Sequence, residues 1–507
     1  MTESVKEKPI VWTISGSDCS GGAGIAADIK TGHALGVEVC HLITANTVQN
    51  ANRLISINPV ACEILQQQAK VLIDDKPPSV IKIGLIANLE QVTWLTELLA
   101  GFKANYPKIS VVFDPVGQAS VGGSFSTLQR EDLTLLFHYV DVITPNLMEA
   151  QQLSNLLTLD PVELAIKIAE LGVTSVIVKG GHNAVLDNDG LQISDDYCLH
   201  HVEQSSISYQ LSSPRINTSY SHGGGCSFAS AVTAFLAHGY LLRDAFTLTK
   251  AFINQGLAKS VTASMKKPDY YGAFQQTHWP NNADFFPRIS SNLVKKYQAL
   301  PPFPSLALSD TKLGLYPVVD SLYWLKRLLP LGLNIIQLRL KNKTDIELEA
   351  LIIAAIAISQ PYKTRLFIND YWQLAIKHRA YGVHIGQEDL QNTNLTKIQQ
   401  SGLHLGISTH GCYEFLLAQQ LQPSYLAIGA IFPTKTKNMS GQIQGVENLQ
   451  QLLKLASNIP VVAIGGINHQ RAERVWQTGV DSIAVVTAIT ESENAEIAVK
   501  QFQHIMQ

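Results

Sequence analysis

Two rhythms of apolar and polar positions run along this chain. From Pro9 to about Val261, short and nearly continuous apolar runs alternate with stretches of helical period. The runs are IVWTIS (10–15), HLITAN (41–46), VIKIGLI (80–86), ISVVFDPV (109–116), VDVITPN (140–146) and SVIVKGG (175–181). Strands apolar on both faces and separated by helices predict a parallel sheet covered on both sides. Between Asp195 and Arg215 the pattern changes to alternating, polar-rich runs, YCLHHVEQ and ISYQL, which predict a hairpin excursion. The rest of this half reads as a doubly wound α/β domain.

From Leu313 a tighter rhythm begins. Its strand candidates are LGLYPVV, NIIQLRL, RLFIND, YGVHIGQ, HLGIS, YLAIGAIF, VVAIGGI and SIAVVTAI, nearly all separated by helical stretches. That succession of β/α units in under 200 residues predicts a compact (β/α)8 TIM barrel. Polar residues gather where that fold puts its chemistry, at the C-terminal ends of strands: Arg339 and Lys341, Asn369 and Asp370, Gln387 and Asp389, Ser408, and Thr434. Between the two rhythms, residues 268–310 are rich in Pro, Asn and aromatics. The expected division is therefore a first domain over 1–280, a seam over 281–310 and a second domain over 311–507.

The 507 residues are enough for two or three domains. A net charge of −3, with 46% apolar and 16% charged residues, suits folded cores and gives no broad field for nucleic acid or anionic lipid. Any anion site must be local. The six cysteines are scattered, without C-x-x-C pairs or zinc-finger spacing. The N-terminus carries no hydrophobic signal core, and ALIIAAIAI (350–358), the longest apolar run, is too short to span a bilayer and reads as a buried helix. These features point to a reduced, cytoplasmic protein with no membrane partner. Self-association as a homo-oligomer is left open.

Two glycine-rich stretches carry the candidate chemistry of the first half. GSDCSGGAGIAAD (16–28) follows a strand and enters a helix, but matches neither the dinucleotide fingerprint nor a P-loop. A tight turn explains its small residues; Asp18 and Asp28 add the polarity a small hydrogen-bonding ligand needs. SHGGGCSF (221–228) places Gly223, Gly224 and Gly225 before an apolar helix, so that backbone amides and the helix dipole can meet phosphate. Cys226 at such a helix mouth is expected to lose its proton more easily. The plainer reading, a small residue packing the helix start, stands beside it.

GSDCSGGAGIAADIKT, ITANTVQN, VVFDPV, DVITPNLMEA, VIVKGGH, SSPRI and SHGGGCSFASA together resemble hydroxymethylpyrimidine/phosphomethylpyrimidine kinases of the ribokinase-like superfamily, in order and spacing over about residues 9–265. The resemblance implies that Cys226 stands where most of the superfamily has a catalytic Asp, and that Asp28 and Gln49 bind the pyrimidine. It puts Asp114, Asn146, Glu149 and Lys179 on nucleotide phosphates and Mg2+, with ATP as co-substrate. Two departures are visible. The usual T-H-G-T-G-C reads Ser221-His222-Gly223-Gly224-Gly225-Cys226, which loses a hydroxyl at Gly224. After FDPV the family's Met and Ser-Gly pair are replaced by GQASVGGS (117–124).

On the barrel, Asp370 and Asp389 follow adjacent strands, and two carboxylates so placed can share a Mg2+ that also holds ligand phosphates. Arg339, Lys341 and Lys437 would neutralise a diphosphate, while VAIGGI and VVTAI resemble the phosphate site of the last two βα loops. Each charge alone also fits a surface ion pair; their gathering on one rim favours a site. QLRLK, FINDYWQLA, GVHIGQEDL, LGISTHG, YLAIGAIFPTKTK, VVAIGGI and SIAVVTAI resemble thiamine-phosphate synthases over about residues 313–490. That resemblance puts a pyrimidine diphosphate on Gln337, Arg339, Lys341, Asn369, Ser408 and Lys437, and Mg2+ on Asp370 and Asp389. It puts the thiazole phosphate on Thr434, Thr436, Gly466, Val486 and Thr487. His384 and His410 read as packed or hydrogen-bonded side chains, since nothing in the expected chemistry demands a strong base.

Joined, the two resemblances imply a bifunctional enzyme. The first half would phosphorylate hydroxymethylpyrimidine phosphate, and the free alcohol, with ATP. The second would couple the diphosphate to thiazole phosphate, releasing pyrophosphate and forming thiamine phosphate. Two other readings of the first half remain: a kinase for a related alcohol such as pyridoxal, and a sensor of pathway intermediates that has lost turnover.

Overall fold

The computed structural model describes residues 7–50, 53–116, 128–181, 185–186, 190–202, 205–267, 270–306, 312–341, 343–434 and 443–507. The chain divides into two compact units, Met1–Ser291 and Asn292–Gln507.

The first unit is built on strands β1 (Ile10–Asp18), β2 (Glu38–Asn50), β3 (Arg53–Pro59), β4 (Val80–Ile83), β5 (Ser110–Phe113), β6 (Val142–Ile143), β7 (Ser175–Val178), β8 (Val185–Leu186), β9 (Gln192–Val202), β10 (Ser205–Pro214) and β11 (Arg288–Ser290). Their order in the sheet is β11-β10-β9-β7-β6-β5-β4-β1-β2-β3, with β8 beside β9. The six strands from β2 to β7 in that order are parallel. β3 on one edge and β9 to β11 on the other are antiparallel additions.

The apolar runs explain the parallel core: every residue of β4 and β7 is buried, because helices cover both faces. On one face Leu65, Trp94, Leu95, Leu99, Leu164 and Ile168 pack against Trp12, Ile14, Ile81 and Ile83. On the other, helices Gly24–Ala34 and Gly224–Ala237 lie against each other, the first beside β1 and the second against β4 and β5. The expected doubly wound domain and its hairpin excursion are thus present. β3 and β11 were not legible as strands. Nearly all of β3 is exposed, so no burial period marks it, and β11 has only three residues.

Residues 281–310, expected as a seam, are divided between the units. β11 extends the first sheet by pairing with β10. Helix Asn292–Tyr297 belongs to the second unit, where the Tyr297 hydroxyl donates to the Thr393 carbonyl at 2.8 Å and Phe303 is buried. Pro287, Tyr297 and Phe303 of this stretch are buried, so part of its aromatic and proline content serves packing.

The second unit closes a parallel barrel of β12 (Gly314–Val319), β13 (Ile335–Leu338), β14 (Arg365–Asn369), β15 (Gly382–Ile385), β16 (His404–Thr409), β17 (Tyr425–Ile428), β18 (Val461–Ile464) and β19 (Ser482–Val485). All the predicted strands are found, and β19 returns to β12. The interior is packed with side chains, including Tyr316, Phe367, Tyr425, Val462 and Ala484. Glycine is needed where rings cross a neighbouring strand: a Cβ on Gly406 would lie 2.2 Å from the Tyr425 ring, and one on Gly382 2.5 Å from the Phe367 ring.

Helix Asp345–Ser359, which contains the longest apolar run, is buried on one face through Leu348, Ile352 and Ala355 but leaves Ile353 exposed. The reading of that run as wholly buried is corrected. Solvent reaches the outer side of a barrel helix whatever its composition. Among the described residues no helix is long and apolar enough to cross a membrane.

Candidate active sites

Parallel strands of an open α/β sheet direct their C-terminal ends toward one edge, where ligands of such folds bind. In the first unit Asp18 ends β1, Gln49 lies near the end of β2, Asp114 follows β5, Asn146 follows β6 and Lys179 follows β7. Helix Gly224–Ala237 opens beside them with Gly223 at its N-cap in a left-handed conformation, φ +80°.

The two glycine-rich stretches are clasped together. The Asp18 carboxylate accepts hydrogen bonds from the amides of Ser20, Gly22 and Ala23 and from His222 Nε2 at 2.9 Å. These donors hold its carboxyl well below the usual range, against the opposing effect of burial. A Cβ on Gly223 would lie 1.8 Å from the Gly22 carbonyl, and one on Gly22 2.1 Å from the His222 ring. The glycines therefore serve close approach of the loops as well as any ligand. The Gly224 amide donates to the Ser221 carbonyl at 2.9 Å. Not all three glycine amides are thus available to cradle phosphate, as the sequence had suggested; the amides of Gly225 and Cys226 stand at the mouth, where a first turn lacks intrahelical partners.

Lys179 reaches over that mouth. Its Nζ donates to Asp114 Oδ1 at 3.0 Å and lies 5.8 Å from the centre of the Phe228 ring. Burial opposes its charge, but Asp114 and Glu149 more than restore it, so the ammonium is held charged. Glu149 and Asn146 form a reciprocal capping box on helix Leu147–Ser154. Burial pushes the Glu149 carboxyl up to about 7, with Lys179 pulling the other way and Asp114 adding to the rise. Asp114, Glu149, Lys179 and Cys226 are one electrostatic cluster.

Two expectations change. Burial pushes the Cys226 thiol up to about 12; Lys82 pulls it down, Asp114 and Asp28 hold it up, and the Gly24 amide donates to its sulfur. The expected thiolate is not formed in this state because desolvation exceeds what a helix mouth supplies. Asp28 also differs from its expected role. Its carboxylate is buried and accepts from Thr13 Oγ1 at 2.5 Å, Ser230 Oγ at 2.6 Å and Lys82 Nζ at 2.9 Å. It is turned into the protein, where the Lys82 ammonium is the partner that sequence reading missed. The available signal was a lysine inside an otherwise apolar run, VIKIGLI. Gln49 is buried near the end of β2, and its backbone carbonyl accepts from the Cys19 thiol at 3.0 Å.

On the barrel, Gln337 is buried in β13, and Arg339 and the exposed Lys341 follow the end of that strand. Asn369 ends β14, and Asp370 beside it adopts φ +64° and accepts from the Asn369 amide. Asp389 lies in the turn Gln387–Asn392 after β15. Burial, then the charge of Asp389, raises the Asp370 carboxyl, with Arg339 opposing. A raised Asp370 carboxyl with a second acidic group, Asp389, nearby suits a shared cation. Among the described residues no group of three or more His, Cys, Asp or Glu is arranged to hold a metal.

Ser408 lies in β16 and accepts or donates at His384 Nε2, 2.8 Å away. His384 is buried, and burial followed by the Arg339 charge pushes it down to about 3, so the ring is neutral. His410 bonds Glu414 at 2.9 Å. Both histidines are therefore hydrogen-bonded interior groups, as expected. Gly465 and Gly466 follow β18 with φ +104° and +62°, and a Cβ on Gly466 would meet the Pro433 carbonyl at 2.5 Å. Val486 and Thr487 open the short helix after β19, next to that glycine turn because β18 and β19 pair. Thr434 lies in the loop after β17; Thr436, Lys437 and the GQASVGGS stretch at 117–124 lie outside the described residues.

An α/β domain with a lysine over a glycine-rich helix mouth, followed by a barrel with acidic and basic groups on one rim, defines a pair of phosphate-handling enzymes. The sequence profile of the phosphomethylpyrimidine kinase family matches residues 18–269, and that of the thiamine monophosphate synthase family matches residues 315–489. The thiamine-phosphate synthase of Yersinia pseudotuberculosis is 52% identical over 209 residues, 41% of this chain and 96% of the relative. Among solved structures, phosphomethylpyrimidine kinase from Clostridium difficile is 29% identical with a TM-score of 0.39, covering 49% of this chain and 99% of the other. Pyridoxal kinase from Staphylococcus aureus is 28% identical with a TM-score of 0.45, covering 56% and 98%. The chain belongs to the thiamine-phosphate synthase family and carries a phosphomethylpyrimidine kinase domain ahead of it, the composition of a bifunctional enzyme of thiamine biosynthesis.

Proposed function

We propose that the first domain, residues 1–280, transfers phosphate from ATP to hydroxymethylpyrimidine phosphate and to the free alcohol, and that the barrel, residues 311–507, joins the resulting diphosphate to thiazole phosphate. The observation that carries the first step is Lys179, charged and paired with Asp114 over the helix mouth. Phosphoryl transfer asks a protein mainly for positioning and charge neutralisation, which Lys179 and the amides of Gly225 and Cys226 supply. Cys226 remains the group assigned to the substrate hydroxyl. Its proton is retained by burial and by Asp114 and Asp28, so a ligand cation that engages Asp114 removes one of the charges holding it on. Gln49 is assigned to the pyrimidine; Asp28 acts through Lys82 and Ser230.

In the barrel, Arg339, Lys341 and Lys437 neutralise the diphosphate, Ser408 and Asn369 hydrogen-bond it, and Gln337 meets the pyrimidine. Thr434, Thr436, Gly466, Val486 and Thr487 receive the thiazole phosphate. Mg2+ fits Asp370 and Asp389, and when bound would supply positive charge to the departing pyrophosphate. The aminopyrimidine supports a cation at its methylene, to which the thiazole nitrogen adds. Scattered cysteines suit a reducing cytoplasm.

The test supplies the purified chain with hydroxymethylpyrimidine, ATP, Mg2+ and thiazole phosphate and follows thiamine phosphate. The same assay with pyridoxal in place of hydroxymethylpyrimidine measures the alternative alcohol. ATP consumption with pyridoxal alone would overturn the assignment of the first domain, and binding of hydroxymethylpyrimidine without turnover would favour a sensor.

A further inference from the structure

Below the barrel rim, polar side chains from five different strands form a hydrogen-bonded file through the interior, with Gln337 close to both tyrosine hydroxyls. The Gln337 amide nitrogen (β13) donates to the Tyr316 hydroxyl (β12) at 3.1 Å. Tyr316 and Tyr425 (β17) share a hydroxyl–hydroxyl bond of 2.7 Å. The Tyr425 hydroxyl lies 2.7 Å from His384 Nδ1 (β15), and His384 Nε2 lies 2.8 Å from Ser408 Oγ (β16). All but Ser408 are buried. The path exists only because Gly406 leaves room for the Tyr425 ring.

Counting hydrogens gives such a file a direction. A tyrosine hydroxyl has one proton. With the Gln337 N–H donating to the Tyr316 oxygen, Tyr425 is the acceptor that remains for the Tyr316 proton, and His384 Nδ1 is the one that remains for the Tyr425 proton. A neutral imidazole that accepts at Nδ1 carries its proton on Nε2. Nε2–H then donates to Ser408 Oγ, which leaves the Ser408 proton to point elsewhere. At the opposite end the Gln337 amide has spent one donor inward.

We propose that this file is a one-way hydrogen-bond relay that presets the barrel's ligand site, making Ser408 a donor toward an anionic group, with His384 as a positioning residue held in the Nε2–H form. The inference deepens the reading of the barrel as the site of a pyrimidine diphosphate and rests on it. The Ser408 end suits that ligand, since a diphosphate only accepts. The reverse direction would turn the Ser408 proton inward and set an oxygen lone pair against the diphosphate. The relay therefore acts on binding before chemistry begins.

Two measurements decide it. Ring 15N chemical shifts of the full, ligand-free chain, with the His384 signal assigned by its loss in His384→Gln, report which nitrogen is protonated. The expected result is Nε2–H; an Nδ1–H ring overturns the proposal outright. Steady-state kinetics of Ser408→Ala, Tyr425→Phe and the double variant should then show KM for the pyrimidine diphosphate raised roughly 10–100-fold, as for loss of a hydrogen bond to a charged group. The double variant should be no worse than Ser408→Ala alone, because the two changes remove one interaction. Additive losses would mean that Tyr425 does not act through Ser408, and would also overturn the relay. Tyr316→Phe, farther along the file, repeats the test should Tyr425→Phe fail to fold. If the chain makes no thiamine phosphate, the assignment of the site fails, while the ring-nitrogen measurement still decides the relay by itself.

Discussion

Asp18 and His222 stand 204 positions apart and share a 2.9 Å hydrogen bond from the imidazole Nε2 to the buried carboxylate. Through it the turn after β1 and the loop before helix Gly224–Ala237 form one surface, with Gly22 and Gly223 in contact beneath.

Breaking that clasp should loosen the kinase site. Asp18→Asn is expected to cost about 1–3 kcal/mol, the range for a lost buried hydrogen-bond partner. The Asp18 carboxyl is depressed in the folded protein, so its contribution is fully present above the unfolded value of about 3.9 and is lost as pH falls through the lower folded value. Urea unfolding of both proteins should show a constant gap at pH 5–7 that narrows only in stronger acid. A gap that closes near neutrality would assign the pH response to another group.

The buried Asp28–Lys82 pair predicts an asymmetry between single and double substitutions. Lys82→Met strands a carboxylate and should destabilise by about 3–5 kcal/mol, whereas Lys82→Met with Asp28→Leu should recover much of that loss. Thermal unfolding checks it. If Asp28→Asn instead leaves stability intact and raises KM for the pyrimidine, Asp28 faces the substrate after all.

Cys226 should behave as a thiol in the ligand-free protein. Alkylation at pH 7–8 should be much slower at Cys226 than at the exposed Cys19, because the thiolate is the nucleophile and burial pushes this thiol up to about 12. Cys226→Ser should slow phosphorylation by about 10²–10⁴-fold, the range for a general base, with ATP affinity kept. Wild-type rates and an unchanged pH profile from pH 6 to 9 would make Cys226 a packing residue.

Asp370→Ala or Asp389→Ala should lower thiamine phosphate formation by about 10²-fold or more, as for loss of an electrostatic stabiliser, and leave ATP-dependent phosphorylation unchanged. Equal loss of both activities in a folded variant would contradict two separate sites.

Separately expressed chains ending at Ser291 and beginning at Asn292 should each fold and keep one reaction, since each unit has its own sheet and core. A cut before β11 should serve less well, because it removes the strand that pairs with β10. Circular dichroism and the two half-reactions measure this.

Most strands of both sheets were legible because burial on both faces writes itself as a continuous apolar run, as in VIKIGLI and SIAVVTAI. The barrel rim was legible for a related reason. A strand that ends in solvent shows its last inward residue and the next as polar, as Asn369 and Asp370 do. β3 stayed hidden because an exposed edge strand needs no apolar pattern, and β11 because three residues carry no period.

The sequence alone therefore determined that polar residues such as Asp114, Lys179, Asn369 and Asp370 fall at the C-terminal ends of strands, and the families whose motifs the chain carries. Only the tertiary structure decided what those residues face. Asp28 and Lys82 lie 54 positions apart, and nothing local states that their charges meet inside the protein rather than at a ligand. The thiol of Cys226 was expected to ionise from its place at a helix mouth, yet desolvation depends on everything packed around it. The hydrogen-bonded contacts from Gln337 to Ser408 draw on five of the eight strands that close the barrel. Burial and hydrogen-bond partners are properties of neighbours in space, and the chain order does not contain them.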